Sequence, residues 1–229
     1  KKKLNLFDFI SITTYSDNKI FYSYDSDWGN NEFWANEPYN FNNHYYGYYS
    51  PYNYIDETNR KRINKSQEFR IIDKTYKNSI ITSGIIHSIL KEKDDRDGWV
   101  FAGDAININS NFLIRKSGLY TQISHEKNKY LNLILGFRCD FNKTNNYLSW
   151  SDYHNTFFDS NKTNDNNLYS ANLKIKYMIS NKYSIVSLIS SGHKSSGINL
   201  TPNLPEEYKK YNREYAYNYE IGIQQKKDD

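Results

Sequence analysis

Tyr130–Phe141 reads YLNLILGFRCDF. Leu131, Leu133, Leu135, Phe137, Cys139 and Phe141 are apolar, Asn132, Gly136, Arg138 and Asp140 fall between them, and Ile134 alone is out of step. A period of two sends alternate side chains to opposite faces of a strand, so the stretch predicts a β-strand with one apolar face. The pattern recurs downstream. In NLYSANLKIKYMI, Tyr169, Ala171, Leu173, Ile175, Tyr177 and Ile179 alternate with Ser170, Asn172, Lys174 and Lys176. In EYAYNYEIGI, Tyr215, Tyr217, Tyr219, Ile221 and Ile223 do the same.

Less regular strands are read at Leu4 to Ser16, Ile63 to Asp73, Ser79 to Leu90, Phe112 to Ser124 and Tyr183 to Gly192. That makes about eight strands of roughly 9 to 13 residues, longer than the ~5–6 residues usual in globular sheets and suited to a tilted membrane-crossing strand. Short turns at Lys74 to Asn78, His125 to Lys129 and Ser180 to Lys182 alternate with long connections. The long ones are read at Ser16 to Arg62, Lys91 to Asn111, Asn142 to Asn166 and Lys194 to Asn212. An up-and-down meander with this alternation gathers the short turns at one end and the long loops at the other, as in outer-membrane barrels. A soluble β-sandwich also alternates apolar and polar residues, so that fold stays open at this point.

Composition narrows the function classes. The chain has 229 residues, 23 Tyr, 12 Phe, 4 Trp and a formal charge of +4. Its basic residues are spread among 26 acidic ones, which argues against the basic stripe of a nucleic-acid binder. One cysteine, Cys139, excludes an intrachain disulfide framework and a multi-cysteine metal cluster. No stretch approaches the ~20 apolar residues of a membrane-spanning helix. The opening KKKLNLFDF lacks the apolar region and cleavage site of a signal peptide.

The segment Tyr183 to Gln224 carries a resemblance. Ser190 or Ser191, Gly192, Lys194, Gly197 and Asn199, followed after a Pro-containing loop by Glu214, Asn218, Tyr219, Glu220 and Gly222, are similar to the S-x-G-x-K-x-G-G-x-N and E-x-x-x-N-Y-E-x-G signature in the barrel of TonB-dependent outer-membrane receptors. Ser196 stands where that pattern commonly has Gly. Ser66, Gln67, Glu68 and Arg70 resemble the family's returning S-Q-E-x-R strand. Tyr120, Gln122, Leu135, Gly136 and Arg138 resemble its paired Y-x-Q and L-x-x-G-x-R strands. The three matches keep their order along nearly the whole chain.

The resemblance implies an all-β fold: an antiparallel up-and-down meander of about eight long strands forming part of a transmembrane β-barrel. Residues 1–229 would then be one barrel fragment without plug domain or signal peptide. It further implies the outer membrane of a Gram-negative bacterium, contact with its lipid, and uptake of a scarce nutrient, most often an iron-siderophore. Energy would come from the TonB complex through a plug domain. No enzyme activity, cofactor, metal or nucleic-acid partner is expected. Alternatives are a secreted glycan-binding β-sandwich and a small, complete eight-stranded outer-membrane barrel.

The residue types carry physical expectations of their own. Gly192 and Gly197 suit a bend, bulge or close approach that a Cβ would obstruct. Glu68, Arg70, Arg138 and Glu220 fall on polar faces, where opposite charges on neighbouring strands can pair. A ligand-facing reading falls on the first long loop, which concentrates Trp28, Trp34, Tyr45, Tyr46, Tyr48 and Tyr49, since rigid aromatic surfaces suit binding. Other motifs are discounted. DSDWGN at Asp25 lacks the glycine position and terminal Glu of an EF-hand, and GHKSSG at Gly192 lacks the offsets of a nucleophile elbow. The five histidines share no ligand spacing, and DSNKTNDNN at Asp159 to Asn167 reads as a solvated loop of turn formers.

Overall fold

The computed structural model describes residues 2–3, 7–25, 55–97, 106–152, 154–202 and 204–225. Eight principal strands run in chain order: β1 Phe7–Asp25, β2 Ile55–Asp73, β3 Ser79–Asp97, β4 Ile106–Asn128, β5 Leu131–Ser151, β6 Phe157–Met178, β7 Tyr183–Lys194 and β8 Glu214–Gln225. Each pairs antiparallel with its sequence neighbour, giving one open meander. Lys2–Lys3 adds a short bridge to the free edge of β1. The sheet order sets β1 and β8 at opposite ends of the sheet. The alternative of a small closed barrel is therefore corrected, because closure requires those two strands to pair.

Six of the strands run well beyond the lengths read from the sequence, at 19 to 23 residues. Asn142 to Asn166, read as a long loop, is mostly strand, and the connection shrinks to Asp152–Thr156. Asn155 adopts φ 63° there. Asp152 closes the turn by accepting from Asn155 N at 2.9 Å and, through Oδ1, from Thr156 N at 2.8 Å. DSNKTNDNN is correspondingly part of β6, in unbroken register with β5 from Ser151 opposite Phe157 to Phe141 opposite Asn167. The backbone ladder holds this segment extended where its side chains carry no apolar alternation.

The short turns do gather at one end. Asn78, at φ 62°, ends the β2–β3 turn. Asn128 Oδ1 accepts from Tyr130 N and Leu131 N at 2.9 and 3.0 Å between β4 and β5. Ser180 Oγ accepts from Lys182 N and Tyr183 N between β6 and β7. These are local side-chain-to-backbone turns of the kind Asn and Ser favour.

One face of the sheet is apolar near the short-turn end. Cross-strand rows join Ile71 to Ser83, Thr121 and Phe137, and Ile123 to Leu135, Leu173 and Ile189. Among the described residues nothing packs over this face: Leu135 is 55 %, Phe137 50 % and Ile85 51 % exposed. A β-sandwich would bury these rows against a second sheet, so that alternative is corrected as well. Leu131 to Phe141 spans roughly 34 Å along the strand at ~3.4 Å per residue, or roughly 24 Å of height at a ~45° tilt. That height matches the ~25 Å apolar band of an outer-membrane barrel. Among the described residues no helix is long and apolar enough to cross a membrane, a property with no bearing on a barrel that crosses with strands.

The buried side chains lie mostly on the opposite face, toward the long-connection end. Ile108, Leu148 and Trp150 cluster there, and Trp150 stacks on Phe158 at 5.5 Å. A register shift between Ile106 and Asn109, with Asn107 at φ 52°, bulges β4 beside this cluster.

Candidate functional site

The polar face holds two charged groups. In the first, Arg70 Nη2 donates to Glu68 Oε1 at 2.7 Å and Arg70 Nε donates to Tyr120 Oη at 2.8 Å. Tyr120 in turn donates to Glu68. Glu68 and Arg70 stand two apart on β2, so alternation puts both on one face, and Tyr120 reaches across β3 from β4. Room for that crossing comes from Gly84, which lies opposite both Arg70 and Tyr120. A Cβ on Gly84 would lie 2.5 Å from Tyr120 Oη.

On β5, Arg138 makes a two-pronged contact with Asp140, Nε to Oδ2 and Nη2 to Oδ1, both 2.7 Å. His193 Nε2 approaches Asp140 Oδ2 at 3.1 Å from β7. The expected cross-strand ion pairing is corrected for Glu68, Arg70, Arg138 and Glu220. The two Arg pairs form along single strands, and Glu220 accepts from Asn218 Nδ2 at 2.5 Å on its own strand. A two-residue step on one face is short enough for a guanidinium to reach its own strand's carboxylate.

Cross-strand pairs occur instead in the second group, nearer the long connections. Arg60 binds Asp94 with both prongs, at 2.7 and 2.5 Å, and Arg62 Nε donates to Glu92 Oε2 at 2.5 Å. Arg96 Nη2 also reaches Asp94, at 3.3 Å. Arg60–Asp94 and Arg62–Glu92 are direct register partners on β2 and β3, the arrangement that favours opposite charges, while Arg96 reaches Asp94 along β3 itself.

The connection after β7 folds back over the polar face. β7 pairs with β6 only as far as Ser190 opposite Asn172, while its pairing with β8 runs on to Lys194 opposite Glu214. Ser191 Oγ caps the departure by accepting from Ala171 N at 2.9 Å. Beyond it, Asn142 Nδ2 donates to Ser195 Oγ at 2.6 Å, and Asn164 Nδ2 donates to Ser196 Oγ at 2.8 Å. Asn166 Oδ1 accepts from Ser196 N at 3.2 Å and from its hydroxyl. Further on, Gly197–Ile198 pairs with Lys210–Tyr211. Lys162 Nζ holds Glu206 at 2.6 Å and Lys209 Nζ holds it at 2.8 Å, and these two ammonium groups pull the exposed Glu206 carboxyl down to about 2. A recess of about 550 Å³ remains between this connection and the β3–β5 face. Asn142 Oδ1 and His193 Nδ1 are buried without a protein partner at its wall. The recess can hold water or a small polar ligand, and no three His, Cys, Asp or Glu converge on a metal among the described residues.

The residues singled out from the sequence distribute as follows. Glu68, Arg70, Tyr120 and Arg138 come together, with Arg138 within electrostatic reach of Glu68 and Tyr120. Lys194 pairs with Glu214 at 3.3 Å and lies 5.6 Å over the Tyr211 ring. Gly197 is a close approach, since a Cβ would collide with Tyr211. Asn199 ties the connection together, N to Lys209 O at 2.9 Å and Nδ2 to Tyr208 O at 2.7 Å. Gly192 is different: the β7–β8 ladder runs through it without a shift and a Cβ would meet nothing within 4 Å, so neither bulge nor close approach applies. Gly222 is equally open, Gly136 packs against Asn172, and Tyr219 is exposed on the sheet edge. Ser66 and Gln67 bond to β1, Ser66 Oγ with Thr14 at 2.6 Å and Gln67 Nε2 to Ser11 Oγ at 2.9 Å. Trp28, Trp34, Tyr45, Tyr46, Tyr48 and Tyr49 lie outside the described residues.

Sequence reasoning missed Asp140, His193 and the row Asn142, Asn164 and Asn166. Arg138-x-Asp140 had a readable signal, two opposite charges one strand period apart. The asparagines had none, because they are common throughout the chain.

No protein-family model matches the sequence, and no curated protein does. The fold is similar to part of a β-barrel wall: the chain superposes on the ferric yersiniabactin uptake receptor FyuA of Yersinia pestis with a TM-score of 0.75 at 15 % identity. The match covers 99 % of this chain and 32 % of that one. The chain thus spans about a third of the receptor's length.

Proposed function

We propose that this chain is part of the barrel wall of a TonB-dependent outer-membrane receptor that imports a scarce nutrient of the ferric-siderophore class. The observation that carries the reading is the two-sidedness of the open meander. One face offers an exposed apolar band of bilayer height, and the other is lined by ion pairs and a folded-back connection, as a polar lumen requires. Its fold likeness to a siderophore uptake receptor supports the substrate class, and the ordered barrel motifs around Glu68, Arg138 and Lys194 support the family. Import needs no bond in the nutrient to break, so the proposed protein is a transporter without enzyme activity. Energy would reach it from the inner membrane through a plug segment and the TonB complex.

The test is uptake of radiolabelled ferric siderophores into iron-starved cells with the gene intact or deleted, before and after the proton gradient is collapsed. Uptake that needs both the gene and the gradient supports the proposal. Gradient-independent uptake by a gene-dependent route, or protein recovered in the soluble fraction, contradicts it.

A further inference from the structure

The outward face changes character abruptly above the apolar band, on the side of the long connections. Three successive cross-strand rows carry Lys65, Arg115 and Lys143, then Lys91, then Lys19, Lys61 and Lys93. Those seven cations share the rows with two acids, Asp17 and Asp165, in a chain whose whole formal charge is +4. In the last row Lys19 lies directly opposite Lys61, and Lys61 directly opposite Lys93. Directly opposed like charges destabilise a ladder, so an uncompensated run of three is costly unless an anion covers it.

Compensation within the protein is sparse. Lys143 reaches Asp165 only at 3.9 Å, and Lys65 sits 5.4 Å over the Tyr15 ring. Lys19, Lys61, Lys91, Lys93 and Arg115 have no carboxylate in ion-pair range among the described residues. Across the same strands, Arg60, Arg62 and Arg96 on the polar face are all paired. Lys19, Lys61, Lys93 and Asn111 also border a recess of about 530 Å³; Asp94 and Asp95 contribute to its wall, Asp94 being taken up by Arg60.

We infer that this basic belt binds the anionic phosphate headgroups of membrane lipids in the leaflet next to the long connections. The inference rests on the membrane-wall reading. It goes beyond that reading in naming a lipid class and the lysines that hold it. The placement fits: three rows occupy roughly 14 Å along the strands at ~3.4 Å per residue, at the level where acyl chains give way to headgroups. Lysine ammonium groups suit a phosphate as point charges, and each near an anionic surface contributes about fivefold to affinity at low salt.

The test uses the full-length protein in detergent, titrated with dioctanoyl phosphatidylglycerol or dioctanoyl phosphatidylcholine, alongside the triple variant Lys19→Gln, Lys61→Gln, Lys93→Gln. Partitioning of both proteins into phosphatidylcholine vesicles is measured in parallel. The expected result is preferential binding of the anionic lipid, reduced roughly a hundredfold in the variant, with vesicle partitioning unchanged. Equal binding of both lipids by a protein that still enters vesicles overturns the belt and leaves the wall reading intact. Failure of the unaltered protein to enter vesicles removes the wall reading and the belt with it. Displacement of the lipid by inorganic phosphate or a short oligonucleotide at equal charge concentration also overturns the assignment to lipid.

Discussion

The two halves of β5 and β6 share one hydrogen-bonded ladder and follow opposite side-chain rules on their outward face. In Leu131–Phe141 the outward positions Leu133, Leu135 and Phe137 face Ile175, Leu173 and Ala171, and nothing among the described residues packs over them. In the half beyond Phe141 the outward positions are Lys143, Asn145, Tyr147 and Ser149, opposite Asp165, Thr163, Asn161 and Asp159. The inward side differs less: the proximal half carries Arg138 and Asp140, and the distal half carries buried Asn142, Thr144 and Asn146 before the apolar Leu148 and Trp150 at its end. The backbone supplies the strand in both halves, and the solvent outside decides the side chains. An apolar stripe outward and polarity inward suits hydrocarbon against a wet interior, while a sheet polar on its outward face, with apolar side chains buried only at its inward end, suits water outside.

The sharpest way to break this contrast is a charge placed outward in each half. Leu135→Arg is expected to cost about 2–4 kcal/mol in unfolding from bilayers, against about 0–1 kcal/mol for Tyr147→Arg. Equal costs at the two positions would dissolve the distinction. Denaturant unfolding of the two variants in the same lipid provides the comparison.

A second contrast lies on the polar face. Gly84→Ala forces Tyr120 off Glu68 and Arg70 and is expected to cost about 1–3 kcal/mol, whereas Gly192→Ala, with open space around it, stays within about 0.5 kcal/mol. The same unfolding assay reads both.

The distal half was the less legible one for a physical reason. Period-two alternation was visible in Leu131–Phe141 and Asn167–Ile179 because one face is apolar and the other polar. Where polar groups occupy the outward face, as in DSNKTNDNN, the side chains show no such signal, and Asn and Asp suggest turns. Register with β5 is what makes that segment a strand. In the same way, Glu68, Arg70 and Arg138 were readable as polar-face residues, yet their partners were not. Tyr120 crosses a strand through the gap at Gly84, and His193 reaches Asp140 from a hairpin that has left its neighbour. Such meetings depend on twist and bulges rather than on local pattern.

The folded-back connection sharpens the distal half further. Asn166→Ala removes three bonds to Ser196, and protease cutting within residues 199–212 is expected to speed up several-fold with less than about 1 kcal/mol lost globally. Unchanged cutting would mean that the asparagine row does not hold the connection.

The smallest effect concerns pH. Glu206 is depressed from 4.5 to about 2 by Lys162 and Lys209, so its contribution to docking is fully present above about 4.5 and is lost as pH falls through about 2. Carbon NMR of the Glu206 carboxyl is expected to show a midpoint near 2, and a midpoint near 4.5 would mean that neither lysine holds it.

The central claim is that the exposed apolar face meets lipid. Its most direct test replaces Cys139 by Ala, places single nitroxide labels at Leu135→Cys, Arg138→Cys and Asn145→Cys in the full-length protein, and measures their collisions with oxygen and with a water-soluble nickel chelate in bilayers. Leu135→Cys is expected to be accessible to oxygen and shielded from nickel, Asn145→Cys accessible to nickel, and Arg138→Cys shielded from the oxygen-rich hydrocarbon. Nickel access at Leu135→Cys equal to that at Asn145→Cys would contradict that claim.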